Sequence, residues 1–109
     1  MSEDDAPPGA QIGSAVPGGA LSKELLIINK RGLHARASAK FVQAVERFNA
    51  QVWVTRGGET VGGTSIMGLM MLAAGPGTTI TVAAAGPDAE AALTAITELV
   101  ESKFNEEGT

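Results

Sequence analysis

The chain holds a single histidine, His34, in the run Gly32-Leu33-His34-Ala35-Arg36-Ala37-Ser38. Apolar residues at helical spacing begin just after it, so the imidazole falls at a helix start. The first backbone N–H groups of a helix lack intrahelical partners and point outward. The helix dipole adds positive potential there, worth about 0.3–1 kcal/mol to a nearby anion. Arg36, two positions on, brings a guanidinium fork able to hold a phosphoryl group. Across 30–47, Lys30, Arg31, Arg36, Lys40 and Arg47 stand against Glu46 alone. Imidazole can act as a covalent nucleophile, and these basic surroundings favour its neutral form, with a lone pair free for attack. The same features also fit a histidine that merely caps a helix on a solvated basic face.

Ser65 heads a second segment, Ile66-Met67-Gly68-Leu69-Met70-Met71-Leu72. The pattern predicts a short helix over 65–73, with Ser65 as N-cap, Gly75 just past the end and Pro76 blocking continuation. The serine is either an ordinary cap or a phosphorylation site, where the added charge would meet unsatisfied helix amides. The methionine-rich stretch suits core packing and an adaptable docking surface equally well.

Composition bounds what these groups can do. The 109 residues carry 8 Lys+Arg against 12 Asp+Glu, a formal charge of −4, no Cys, no Tyr and 4% aromatics. One domain is the natural size for such a chain. Without Cys there is no disulfide scaffold, thiol catalysis or iron–sulfur cluster, and one His is too few for a typical transition-metal site. No metal or cofactor is therefore expected. An acidic chain short of stacking aromatics argues against nucleic-acid binding. The uncharged stretch 60–87 is cut by Gly75-Pro76-Gly77 and lacks the roughly 20 apolar residues of a spanning helix. A soluble, cytoplasmic protein is the expectation.

Residues 1–20 contain Glu3, Asp4 and Asp5, three of the five prolines and neither Lys nor Arg. They read as a disordered N-terminal tail, without the basic start and apolar run of a signal peptide. The folded unit is expected over 21–104, with 105–109 a short C-terminal tail. Within it, 23–29 reads as a buried strand. Ala37, Phe41, Val45 and Phe48 mark one face of a helix over 35–48. Residues 51–55 form a strand, Arg56-Gly57-Gly58-Glu59 a turn, and Thr60-Val61 its return, which makes a hairpin. Residues 79–83 alternate, Ile80 and Val82 facing inward and Thr79, Thr81 and Ala83 outward. After the turn Gly86-Pro87-Asp88, a helix carries Ala89, Ala92, Leu93, Ile96, Leu99 and Val100, its stripe extended by Phe104. The order β-α-β-β-α-β-α predicts an α+β domain with an antiparallel sheet covered on one face. A metabolite-binding module and an RNA-binding sheet share that outline. Nothing between Arg56 and Glu59 specifies a ligand, and an RNA-binding sheet needs exposed aromatics where only Trp53 lies in a strand.

The Gly32-Leu33-His34-Ala35-Arg36 run followed by a helix, and the Ser65-led segment, in this order of elements, resemble the HPr/NPr family. These are the phosphocarrier proteins of the phosphoenolpyruvate-dependent phosphotransferase system. The resemblance covers about 21–104. It implies an open-faced β-sandwich of four antiparallel strands and three helices. It implies that His34 takes a phosphoryl group on Nδ1 from enzyme I and passes it to a IIA-type protein. The carrier would thus be a relay and not a turnover enzyme. Arg36 becomes the phosphate-stabilising arginine, beside Ala35 and Ala37. Ser65 becomes the site of HPr kinase/phosphorylase, and Ile66 and Met67 become docking positions. A monomer without nucleic-acid partners or membrane insertion is implied. Ala37 departs from the family's usual proline; it gives up a fixed φ and adds an N–H donor. Ala37-Ser38 and the Ser65 segment resemble variants of nitrogen-type regulatory chains, so sugar transport and regulation both stay open.

Overall fold

The computed structural model describes residues 19–106. The expected N-terminal tail therefore lies, up to residue 18, outside the described residues, as do 107–109. Four strands, β1 (Leu21–Leu26), β2 (Gln51–Arg56), β3 (Glu59–Gly62) and β4 (Thr79–Ala85), form one sheet in the order β1-β4-β2-β3. Every pairing is antiparallel. The helices α1 (Ala35–Glu46), α2 (Ile66–Met71) and α3 (Ala89–Glu101) complete the order β-α-β-β-α-β-α, followed by a short 3-10 turn at Lys103–Asn105.

Alternation along the strands separates two faces. Leu25, Val52, Val54, Ile80, Val82 and Ala84 are buried. They meet Phe41 and Val45 from α1, Ile96 and Val100 from α3, and Leu69 and Leu72 from the α2 segment in one core. Each fully buried side chain of this size contributes about 1.5–3 kcal/mol of apolar transfer. On the other face Glu24, Thr81, Thr55 and Thr60 line up by register. The two hydroxyls of Thr55 and Thr60 lie 2.8 Å apart. Trp53, half-buried, pairs with Ala83 and Gly62 on that face. Phe41 and Phe104 are wholly inside, so the aromatic surface an RNA-binding sheet needs is missing among the described residues.

The elements differ from the sequence expectations mostly at their ends. β1 starts at Leu21 and its ladder stops at Leu26; Ile27 and Asn29 are fully buried beyond it. α1 stops at Glu46 because Arg47 and Phe48 tighten the end with N–H bonds to Ala44 and Val45, three residues back. Gly57 and Gly58 both take positive φ, 59° and 88°, as the two-residue hairpin requires. β4 runs on to Ala85, and Ala83 is buried rather than wet because β4 is central, with β1 and β2 on either side.

The two helix exits are the larger differences. α2 is left at Ala73, not Gly75, by a left-handed residue with φ 53°. The Arg56 guanidinium donates to the Leu72 carbonyl there at 3.0 Å. An L-residue in that region costs about 1–2 kcal/mol, while glycine loses about 0.4–1 kcal/mol through its freer unfolded chain. Ala73→Gly is therefore expected to stabilise the fold by about 0.5–1 kcal/mol. Thermal melting checks it, and an unchanged or lower midpoint would refute the strain. At the other exit α3 ends at Glu101, and Phe104 is reached through three successive left-handed residues, Lys103, Phe104 and Asn105 (φ 59°, 57° and 55°). Phe104 thus fills the core from a turn and not from a continued helix stripe.

Candidate functional site

The loop between β1 and α1 is tied at both ends. The Ile27 N–H donates to Thr78 O at 2.8 Å, and the Leu33 N–H to Ala74 O at 2.9 Å. Between them Gly32, at φ 64°, closes a turn through its N–H to Asn29 O at 3.2 Å. Ser38, buried in α1, donates to Leu33 O at 3.2 Å. These bonds fix His34 as the N-cap of α1, extended at φ −77° and ψ −177°.

His34 makes no side-chain cap bond, and the first turn of α1 holds no acid. The first helical bond is Ser38 N–H to His34 O, 2.8 Å. The amides of Ala35, Arg36 and Ala37 precede it, so α1 presents its positive end uncapped. Arg36 is exposed in that turn, and among the described residues its guanidinium makes no hydrogen bond or ion pair. The imidazole is 24% exposed. It borders a pocket of about 230 Å³ lined by Arg31, Leu33, Ala73, Ala74 and Gly75. The chain leaving α2 thus forms one wall beside the ring. Ser65 sits at the opposite end of that helix, exposed, its Oγ accepting from the Gly68 N–H at 2.9 Å. Leu69 and Leu72 are buried, whereas Ile66, Met67, Met70 and Met71 are exposed, Met67 by 71%. The methionine-rich segment therefore divides between core and surface.

The surroundings of the ring differ from the open basic pocket expected. Nδ1 lies 3.1 Å from Gly32 O, and Nε2 lies 3.3 Å from Glu106 Oε2. Nδ1 makes the ring's hydrogen bond, to Gly32 O, while Nε2 faces Glu106 Oε2, which has no hydrogen-bond partner among the described residues. Asn29, fully buried, donates from Nδ2 both to Gly32 O at 2.9 Å and to Glu106 Oε1 at 3.2 Å. Asn29, Gly32, His34 and Glu106 close a ring of polar contacts. Its upkeep runs against stability. Asn29 Oδ1 is buried without a hydrogen-bond partner among the described residues, at a cost of about 1–3 kcal/mol. The left-handed run at Lys103–Asn105 that delivers Glu106 costs about 1–2 kcal/mol per residue. Lys40 holds that run by donating to Phe104 O at 2.6 Å.

Sequence reasoning missed Asn29 and Glu106. Asn29 carried a weak signal, a polar residue closing an apolar strand run. Glu106, 77 positions from Asn29 and set within the expected C-terminal tail, carried none. Among the described residues no cluster of three or more His or acidic side chains is placed to hold a metal, and no helix is long and apolar enough to cross a membrane.

Residues 21–102 match the family model described as the PTS HPr component phosphorylation site. The phosphocarrier protein HPr of Neisseria meningitidis is 50% identical over 86 residues, covering 79% of this chain and 97% of that protein. The phosphocarrier protein NPr of Shewanella violacea is 43% identical over 86 residues, covering 79% and 94%. The crystal structure of HPr-C-His from Thermoanaerobacter tengcongensis superposes with a TM-score of 0.76 at 42% identity, covering 80% of this chain and 98% of that one. With a histidine at the N-cap of α1, an arginine exposed in the same turn and this sheet order in place, the chain belongs to the HPr/NPr family of phosphocarrier proteins of the phosphotransferase system.

Proposed function

We propose that the protein accepts a phosphoryl group on His34 Nδ1 from phospho-enzyme I and passes it to a IIA-type protein, in the cytoplasm and as a monomer. The observation that carries this reading is the half-open His34 ring at the uncapped end of α1, with Arg36 exposed in the same turn. Attack by the ring nitrogen forms one N–P bond as the donor's N–P bond breaks. Arg36 and the amides of Ala35, Arg36 and Ala37 hold the phosphoryl oxygens. Ala37 supplies an N–H where the family's usual proline has none. Incubation with phosphoenolpyruvate and the cognate enzyme I is expected to give acid-labile phosphate on the protein. An unlabelled protein would overturn the reading. Onward transfer to a sugar-type or a nitrogen-type IIA protein separates the two roles.

Docking falls to Ile66 and Met67, whose exposed apolar groups suit the dry centre of a small transient interface. The basic residues of 30–47 steer acidic partners, so association weakens as salt rises. Ser65 is the regulatory position, modified by HPr kinase/phosphorylase. Its Oγ already meets the Gly68 N–H, so a phosphate there adds a charge of about −1.5 to −2 beside the docking residues without unfolding the segment. ATP and the kinase are expected to leave acid-stable phosphate on Ser65 and to slow labelling by enzyme I about tenfold or more, since like charge beside an acidic partner costs on the order of 1–2 kcal/mol. Unaltered labelling kinetics of the seryl-phosphorylated protein would remove that regulatory role.

A further inference from the structure

We infer that the acidic run Glu3-Asp4-Asp5 docks on the basic patch Lys30, Arg31 and Arg36 beside His34, and there competes with acidic partners. The contact is independent of what His34 does; its consequence for transfer rests on the proposed role of His34. The family match starts at residue 21, so the run lies outside the part shared with the carriers. It sets three carboxylates in successive positions, and residues 1–20 hold no Lys or Arg to neutralise them.

The placement of the other cations singles out the patch. Lys23 stands among Glu90, Glu98 and Glu101 of α3. Lys40 is committed to Phe104 O at 2.6 Å. Arg47 lies over the Phe48 ring, in a groove shared with Glu98. Arg56 donates to Leu72 O at 3.0 Å. Lys30, Arg31 and Arg36 are exposed, and among the described residues none of them is paired with a carboxylate. Arg31 lines the same pocket as His34, and Arg36 follows two positions beyond the ring. The carboxylate near them, Glu106, is turned toward His34 and Asn29. Three grouped cations thus match three grouped anions of the same chain.

The reach is sufficient. Sixteen positions separate Asp5 from Leu21, about 50 Å of extended chain. From Leu21, β1 carries the chain only about 20 Å toward the loop that holds His34. The tether sets a local concentration on the order of millimolar. A contact of millimolar affinity, negligible between separate molecules, is then about half formed. Charge and not a shaped pocket makes it, so salt dissolves it. A phosphoryl group on His34 brings its own negative charge to the same cations and displaces the run. The resting carrier is partly covered and the phosphorylated carrier open.

The chain has no Cys, so Ser2→Cys gives a single attachment point for a nitroxide beside the run. At about 0.01 M salt, where charges act over about 30 Å, the amide NMR signals of Lys30, Arg31 and Arg36 are expected to broaden. The broadening disappears at about 1 M salt, and also when Glu3→Gln, Asp4→Asn and Asp5→Asn are combined in the labelled full chain. Without the label, the same triple variant is expected to be phosphorylated by limiting enzyme I about twofold faster at low salt, the release of a half-covered site. At high salt the rates converge. A second triple variant, Glu90→Gln, Glu98→Gln and Glu101→Gln, removes equal charge from α3 and gives no such acceleration. Broadening that is absent at low salt, or equal with and without the three carboxylates, would overturn the contact. Equal rates at low salt, or an acceleration shared by the α3 variant, would overturn the competition. Absence of label on the unsubstituted chain would remove the role of His34, and the broadening would still decide the contact.

Discussion

His34→Ala is expected to abolish acid-labile phosphorylation by phosphoenolpyruvate and enzyme I, with a loss beyond a thousandfold and a fold that survives. His34 is the chain's one histidine, and there is no cysteine to take over as nucleophile. The neighbouring cations Arg31 and Arg36 remain charged and offer no lone pair. The substitution takes little from the fold. As N-cap, His34 makes no side-chain cap bond, and its backbone carbonyl, which accepts from Ser38, is kept. The lost packing is that of a partly exposed ring, and Glu106 retains the Asn29 amide. A stability change below about 1 kcal/mol follows. Circular dichroism and melting verify the fold, and phosphate labelling reads the chemistry. Label on the folded variant at the unsubstituted level would refute the acceptor assignment.

What was legible in the sequence follows from how local its cause is. The hairpin turn needs two left-handed residues and gets Gly57-Gly58, so its flanking strand ends could be read within one residue of the structure. The α1 face and its start at His34 follow from a sustained 3.6-residue period behind a glycine. The exits of α2 and α3 were misread because alanine, lysine, phenylalanine and asparagine adopt the left-handed conformation that glycine marks. Nothing in those residue types announces it; packing imposes it. Phe104 misled further, since it lies four positions after Val100 and so matches a continued helix. In the structure the chain reverses hand to seat the same ring in the core. The Asn29–Glu106 bond joins residues 77 positions apart. Only the sheet order and the docking of α3 bring them together, so the half of the site that faces Nε2 was invisible until the fold was known.

Gly32→Ala is expected to be the most damaging small substitution in the site region, lowering stability by about 3–5 kcal/mol. Two separate demands meet at Gly32. Its φ of 64° is left-handed, which costs an alanine about 1–2 kcal/mol. A Cβ built there would also lie 2.2 Å from Ala74 O and 2.8 Å from Gly75 Cα. Both are backbone atoms and cannot rotate aside. Relief requires parting the β1–α1 loop from the chain leaving α2, which breaks the 2.9 Å bond from Leu33 N–H to Ala74 O. It also shifts Gly32 O, the acceptor shared by Asn29 and His34. Stability and phosphoryl acceptance should therefore fall together. Gly57→Ala separates the two demands: Gly57 has nearly the same φ, 59°, but no atom within 4 Å of an added Cβ. That variant should lose only the conformational part, about 1–2 kcal/mol, and keep its labelling rate. Denaturant unfolding of both variants measures the difference. If Gly32→Ala costs no more than Gly57→Ala, the close approach of Ala74 is not what demands glycine beside the histidine.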